Sequence, residues 1–135
     1  ANFLRAQLYS AVATLSIGMR LLREEGVRID SLTGHGGLFK TPLVGQRYLA
    51  SACGVPVTCM KTAGEGGPYG MALLAAYMVL KERGESLEDY LDKKVFAGVE
   101  STVTVPEIEC ARGVKEYIKN FEACLRVERE AIKAL

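Results

Sequence analysis

The chain has no tryptophan and a single histidine, His35. Aromatic residues make up 7% of it, too few for the stacking platform that holds single-stranded nucleic acid. It also lacks an excess of one charge. Seventeen basic residues stand against sixteen acidic ones, for a net charge of +1, so no basic field draws in nucleic acid or an anionic membrane. The four cysteines, Cys53, Cys59, Cys110 and Cys124, form no CxxC pair and have no zinc spacing with His35. They read as reduced, largely buried thiols of a cytoplasmic protein, although spacing leaves a disulfide open. No secretory signal is visible. The longest apolar run, 71–80, falls short of the roughly 20 residues a bilayer span needs and predicts a buried helix instead.

What remains is an ordinary globular composition. The 135 residues are 49% apolar and 24% charged, enough for one domain with its own core. No repeat, low-complexity segment or flexible linker divides them. The chain opens at Ala1 inside a predicted helix, which suggests a boundary within a longer protein. Fourteen glycines gather in clusters.

Leu4, Leu8, Val12, Leu15, Met19 and Leu22 recur every three or four residues, predicting a helix over 3–25 that Gly26 ends. Residues 27–33 read as a short strand, followed by GHGG at 34–37. Thr41 then Pro42 predicts a helix start, with threonine as cap and proline in the first turn, and Gly54 closes that helix. VPVTCM (55–60) reads as a second strand, continuously apolar as one covered on both faces. TAGEGGPYG (62–70) leads into the apolar helix, predicted to end near residue 83. Ser86 with Asp89 marks a cap for a short helix over 87–91. The segment 93–105 has little helical character and contains the extended-looking STVTV. Val114, Ile118, Phe121, Leu125 and Ile132 mark a long final helix whose charges, among them Glu122 and Arg126 at i,i+4, form a solvated face. Strands alternating with helices predict parallel pairing, with ligands bound beyond the carboxyl ends of the strands. Both glycine clusters fall at that edge.

Gly34, Gly36 and Gly37 let backbone approach a ligand and adopt positive φ, and amide groups there suit phosphate or ribose. Gly66 and Gly67 belong to the matching second cluster, while Gly70 fits either ligand contact or close helix packing beside Ala72, Ala75 and Ala76. Lys40 lies within reach of a phosphate. Glu65 reads as a surface carboxylate, and His35 has no acidic or thiol partner. Taken alone, the GHGG turn reads as a tight structural turn, Gly66 and Gly67 more as ligand contacts, and the spacing is neither a P-loop nor GxGxxG. No Ser-His-Asp arrangement points to acyl transfer.

Taken in order, these segments resemble the FGGY family of carbohydrate kinases, in a xylulokinase-like form, a branch of the actin-like ATPases. GHGGLFKTP (34–42) is similar to the family's strand followed by a glycine turn and Lys-Ser-Pro or a related segment, with Leu38 where a third glycine is frequent. AGEGGPYGMALLAAY (63–77) resembles its polar loop and Gly-Ala-rich helix. NFLRAQLYSAV resembles the helix after the family's second signature, apart from Gln7 and Tyr9, and 106–132 the closing helix. The resemblance implies a helix-rich α/β fold, part of a ribonuclease H-like domain with few parallel strands and flanking helices. Residues 1–135 would then be the carboxyl-terminal, nucleotide-binding part of the enzyme.

By position, the resemblance brings Gly36 and Gly37 to the ribose and phosphates of ATP or ADP, with Lys40 beside them. It sets Thr41 near adenine, and Gly66 and Gly67 at the border of the adenine pocket. It implies ATP and Mg²⁺ as cofactors, γ-phosphoryl transfer to a sugar hydroxyl, and a catalytic aspartate and sugar site upstream of this chain. The chain alone is therefore expected to be inactive and, with strand edges and apolar faces left open, to self-associate. A regulatory actin-like ATPase domain and a non-enzymatic α/β interaction module are the competing readings.

Overall fold

In the computed structural model, which describes residues 2–134, the first apolar stripe forms α1 (Asn2–Glu24). Val12 and Met19 of that stripe are buried, with Tyr9 and Ala13 beside them, while Leu4, Leu15 and Leu22 are exposed. Gly26, at φ 80°, reverses the chain, and the Val27 N–H closes onto the Leu22 carbonyl at 2.9 Å, a helix-end closure that takes residue 27 out of the expected strand. The strand over 27–33 shrinks to β1 (Leu32–Thr33), and Ile29 packs on the core from irregular backbone.

The helix expected to start at Thr41 starts later. A short 3₁₀ turn, Gly37–Phe39, holds the backbone through Lys40, whose N–H bonds the Gly37 carbonyl at 3.2 Å. α2 (Val44–Cys53) is capped by Leu43 at φ 64° without any side-chain hydrogen bond, and Thr41 is exposed. Gly54 ends α2 as expected, at φ 68° with its N–H on the Ala50 carbonyl. β2 (Val57–Met60) then pairs parallel to β1, Leu32 opposite Val57 and Thr33 opposite Thr58. A second 3₁₀ turn, Ala63–Glu65, leads into α3 (Gly66–Leu80), which stops short of residue 83 because Lys81 is extended.

Ser86 caps α4 (Leu87–Tyr90), accepting from the Asp89 N–H. A π-helical turn, Leu91–Val95, precedes β3 (Ser101–Thr104) and α5 (Ile108–Lys133). β3 runs antiparallel to β2, Val57 opposite Thr104 and Met60 opposite Ser101, giving the order β1-β2-β3. The sheet is thus mixed, not wholly parallel.

α2 is the middle layer. Leu49, Ala50 and Cys53 pack with Val12 and Met19 of α1 and Val57 of β2, while Cys110, Val114 and Ile118 of α5 pack with Tyr9 and Ala13. Gln46 is buried yet satisfied. Its amide donates to the Val57 and Thr102 carbonyls at 3.2 and 2.9 Å, and its oxygen accepts from the Thr102 hydroxyl. Glu122 accepts a fork from Arg20 of α1 instead of pairing along its own helix with Arg126, which holds the Glu122 carboxyl below its usual pKa. Cys53, Cys59 and Cys110 are buried free thiols and Cys124 an exposed one. Burial pushes the Cys53 and Cys59 thiols above their ordinary pKa.

α3 departs most from expectation. None of its residues is buried, and Met78 and Val79 are 77% and 81% exposed. Apolar on every side, it has no stripe to turn inward. Tyr77 ties it to the following turn, through an edge contact with Tyr90 and a hydrogen bond to the Glu85 carbonyl. No helix among the described residues is long and apolar enough to cross a membrane.

Gly45 sets where α2 can lie. A Cβ there would sit 2.5 Å from the Leu38 carbonyl oxygen and 2.9 Å from its Cγ, and a backbone oxygen cannot swing aside as a side chain can. Gly45→Ala should therefore destabilise the protein by about 1–3 kcal/mol through overpacking, read as a shift in the urea midpoint. An unchanged midpoint would mean that the Leu38 turn is not seated on α2.

Candidate functional site

β1 and β2 deliver the two glycine turns to the same edge of the sheet. At the first, the Gly34 N–H continues the ladder to the Thr58 carbonyl at 2.8 Å, and the Cys59 thiol donates to the Gly34 carbonyl at 3.5 Å. Gly34 is a packing glycine, since a Cβ would lie 2.4 Å from the Phe39 ring. Gly36 adopts φ 99°, ψ −171°, a region essentially reserved for glycine. Gly37 has no positive φ, so the freedom expected across the turn is needed at Gly36 alone.

The second turn meets the first through backbone. Gly36 N–H donates to the Ala63 carbonyl at 2.6 Å. A Cβ on Gly66 would stand 3.2 Å from the Gly36 nitrogen and 3.3 Å from its Cα. Gly66 also opens α3, whose first turn has no side-chain cap, leaving N–H donors and the positive end of the helix dipole beside Gly36. Gly37 and Gly67 are exposed and face open space, nothing lying within 4 Å of a Cβ built on either. The same openness at Gly70 removes the close helix packing offered for it.

Lys40 crosses from the first turn to the second. Its stem lies over Gly64, where a Cβ would approach Lys40 Cγ to 3.3 Å, and its Nζ stands 3.6 Å from Glu65 Oε1. His35 and Thr41 are exposed. The buried Thr62 hydroxyl, at the head of the second turn, has no hydrogen-bond partner. Lys40 and Glu65 reach an open cleft of about 980 Å³ lined by Phe39, Leu43, Met60 and Lys61, whose walls do not include Gly36, Gly37, Gly66 or Gly67. A larger concavity, about 1250 Å³, lies between α1, α2 and α5. Of its five arginines four are engaged, Arg20 with Glu122, Arg47 with Glu107, Arg112 with Glu109 and Arg23 with the Cys53 carbonyl, and it lies away from both glycine turns.

Among the described residues, no three acidic, histidine or cysteine side chains converge where a metal ion could sit. The chemistry available at the turns is therefore backbone amides, one helix N-terminus and one lysine: the means to hold an anion, with no visible nucleophile. A family model, the C-terminal domain of the FGGY family of carbohydrate kinases, matches residues 1–79. The chain belongs to that family. No curated protein and no solved structure matches it. Both glycine turns and Lys40 fall within the FGGY match, as do α1, α2 and nearly all of α3. α4, β3 and α5 lie beyond it.

Gly45 and Gln46 are the residues that sequence reasoning overlooked around these turns, while Gly64, read as part of the second glycine cluster, proves to be where the Lys40 stem lies. Gly45 had a signal, because a glycine in the first turn of a helix costs propensity and implies close approach. Gln46 had none. Gly36→Ala should cost about 1–3 kcal/mol of stability for its backbone conformation, measured by denaturant unfolding. Equal stability would show that the turn relaxes out of that conformation.

Proposed function

We propose that this chain is the ATP- and ADP-holding side of a carbohydrate kinase that phosphorylates a sugar hydroxyl. The observation that carries the reading is the backbone contact of Gly66 with Gly36, which joins two glycine turns at the carboxyl ends of two parallel strands. In this reading Gly36 and Gly37 lie along the ribose and phosphates, Gly66 and Gly67 border the adenine, and Thr41 stands near the base. The open space at Gly37 and Gly67 suits a ligand lying against bare backbone. With the Gly36 N–H held by the Ala63 carbonyl, the donors this reading gives to the anion are those at the uncapped start of α3. Amides fixed in this way stabilise negative charge without reorganising during the reaction, and Lys40 adds a mobile point charge.

FGGY kinases in general use ATP and Mg²⁺. When bound, the ion neutralises charge on the phosphates. The described residues present no acidic cage for it, so the reading assigns this chain no metal-binding step. It assigns the sugar site and the base that takes the hydroxyl proton to parts of a longer protein outside these residues.

Two experiments test the division. Gly37→Val in the full-length enzyme should fold normally, since a Cβ there meets nothing, yet raise the ATP dissociation constant at least about tenfold, ~1.4 kcal/mol, while sugar affinity stays unchanged. A folded variant with parental ATP affinity removes Gly37 from the site. The 135-residue chain alone should release no ADP from ATP with any pentose, hexose, ketose or polyol, because transfer needs hydroxyl, base and phosphate aligned to within about 1 Å. Turnover with any of them would show that these residues contain the catalytic groups.

A further inference from the structure

Glu65 has no task in the proposed site, yet it immediately precedes Gly66 and faces Lys40. It is 25 residues from Lys40 in sequence and belongs to the other glycine turn, but its Oε1 lies 3.6 Å from Lys40 Nζ. The contact is built by the backbone. Gly64, lacking a side chain, lets the Lys40 stem lie across the second turn, which directs the ammonium toward Glu65. The carboxylate immediately precedes α3 but makes no capping hydrogen bond to it. It therefore gains from the helix dipole while leaving the first N–H groups to another acceptor. Lys40 and the uncapped start of α3 are also the features that would attract a phosphate.

We propose that Glu65 is an internal counter-ion that competes with a ligand's phosphate for Lys40. It thereby lowers affinity for phosphorylated nucleotides while leaving affinity for the nucleoside alone. This inference rests on the nucleotide reading above. Lys40 can turn fully to only one of the two anions, an incoming phosphate or the Glu65 carboxylate. Both side chains are more than half exposed, so solvent screens the pair and its effect is modest. In a kinase whose turnover waits on product release, such a competitor quickens the departure of ADP.

The test is calorimetric titration of the full-length protein with ADP and with adenosine, at low salt and without added metal. The parent is compared with Glu65→Gln, Lys40→Met and the double variant. Glutamine keeps the shape of Glu65 at an exposed position, so folding is not at issue. Glu65→Gln should bind ADP about three- to fivefold more tightly and adenosine unchanged. The gain should fade as salt approaches roughly 0.5 M and vanish in the Lys40→Met background. Unchanged or weaker ADP binding by Glu65→Gln overturns the proposal, as does an equal gain for adenosine. So does a full gain without Lys40, which would make Glu65 act by direct repulsion. A parent that binds neither ligand brings down the nucleotide reading, and this inference with it. A parent that binds both, with no effect of Glu65→Gln, removes only the role given to Glu65.

Discussion

The first glycine turn is gripped between two backbones, and the site depends on that grip. On one side Gly45 of α2 lies under the Leu38 carbonyl, closer than any side chain would permit. On the other, the Ala63 carbonyl accepts from Gly36 and Gly66 rests against it. At Gly45 and Gly66 the atoms opposing a Cβ are mainly main chain and cannot rotate away, whereas a Cβ on Gly36 would meet open space and glycine is required there for its φ of 99°. Crowding at 45 and 66 and backbone conformation at 36 together fix the turn. Leu38 completes it, packing partly buried against the core cluster of α1, α2 and β2. A third glycine there would leave the turn without its apolar anchor.

α2 transmits that grip to the rest of the fold. Short as it is, it supplies Leu49, Ala50 and Cys53 to the core shared with α1 and β2, and Gln46 to the strands. Removing the Gln46 amide would take a hydrogen-bond donor from carbonyls on two strands, Val57 of β2 and Thr102 of β3, at once, a loss felt more than one hydrogen bond gained. β3 owes its attachment partly to Gln46, since Thr102 both donates to and accepts from that side chain. Tyr9 depends on glycine in the same way as Leu38. Its hydroxyl sits where a Cβ of Gly113 would be, which allows α1 and α5 to close around the Tyr9, Tyr48 and Tyr117 rings.

Where one local rule governed, the sequence was legible. The stripe of α1, the glycine stops at Gly26 and Gly54, the Ser86 cap and the long α5 all follow from periodicity and capping alone. The order of strand, glycine turn, helix and strand correctly brought both turns to one edge. It failed where tertiary demands overrode local preference. Thr41 and Pro42 form an orthodox helix start, yet Gly45 under Leu38 and the left-handed Leu43 shift it to Val44. Val27 alternates as a strand residue should, yet helix closure at the end of α1 claims its N–H. The antiparallel β3 was hidden because an exposed edge strand of four residues, STVT, carries no signal of its direction. The link from Lys40 to Glu65 joins two loops and has no periodicity to announce it.

α3 explains why the two halves of the site differ in stiffness. The first turn belongs to the core through Leu38 and Phe39. The helix that opens the second turn buries nothing. Its start is held to the first turn by the hydrogen bond from Gly36 to Ala63, the glycine contact at Gly66 and the exposed pair of Lys40 with Glu65. Local opening free energy falls with buried apolar contact, so the second turn is the wall that yields first. In the nucleotide reading proposed above, a ligand lying across the two turns would add contacts on the weaker side, and ordering would propagate from Gly66 into α3. Whatever covers Met78 and Val79 would stiffen the same helix from its far end. On that reading, nucleotide affinity at the glycine turns is coupled, through α3, to a surface a full helix away from them.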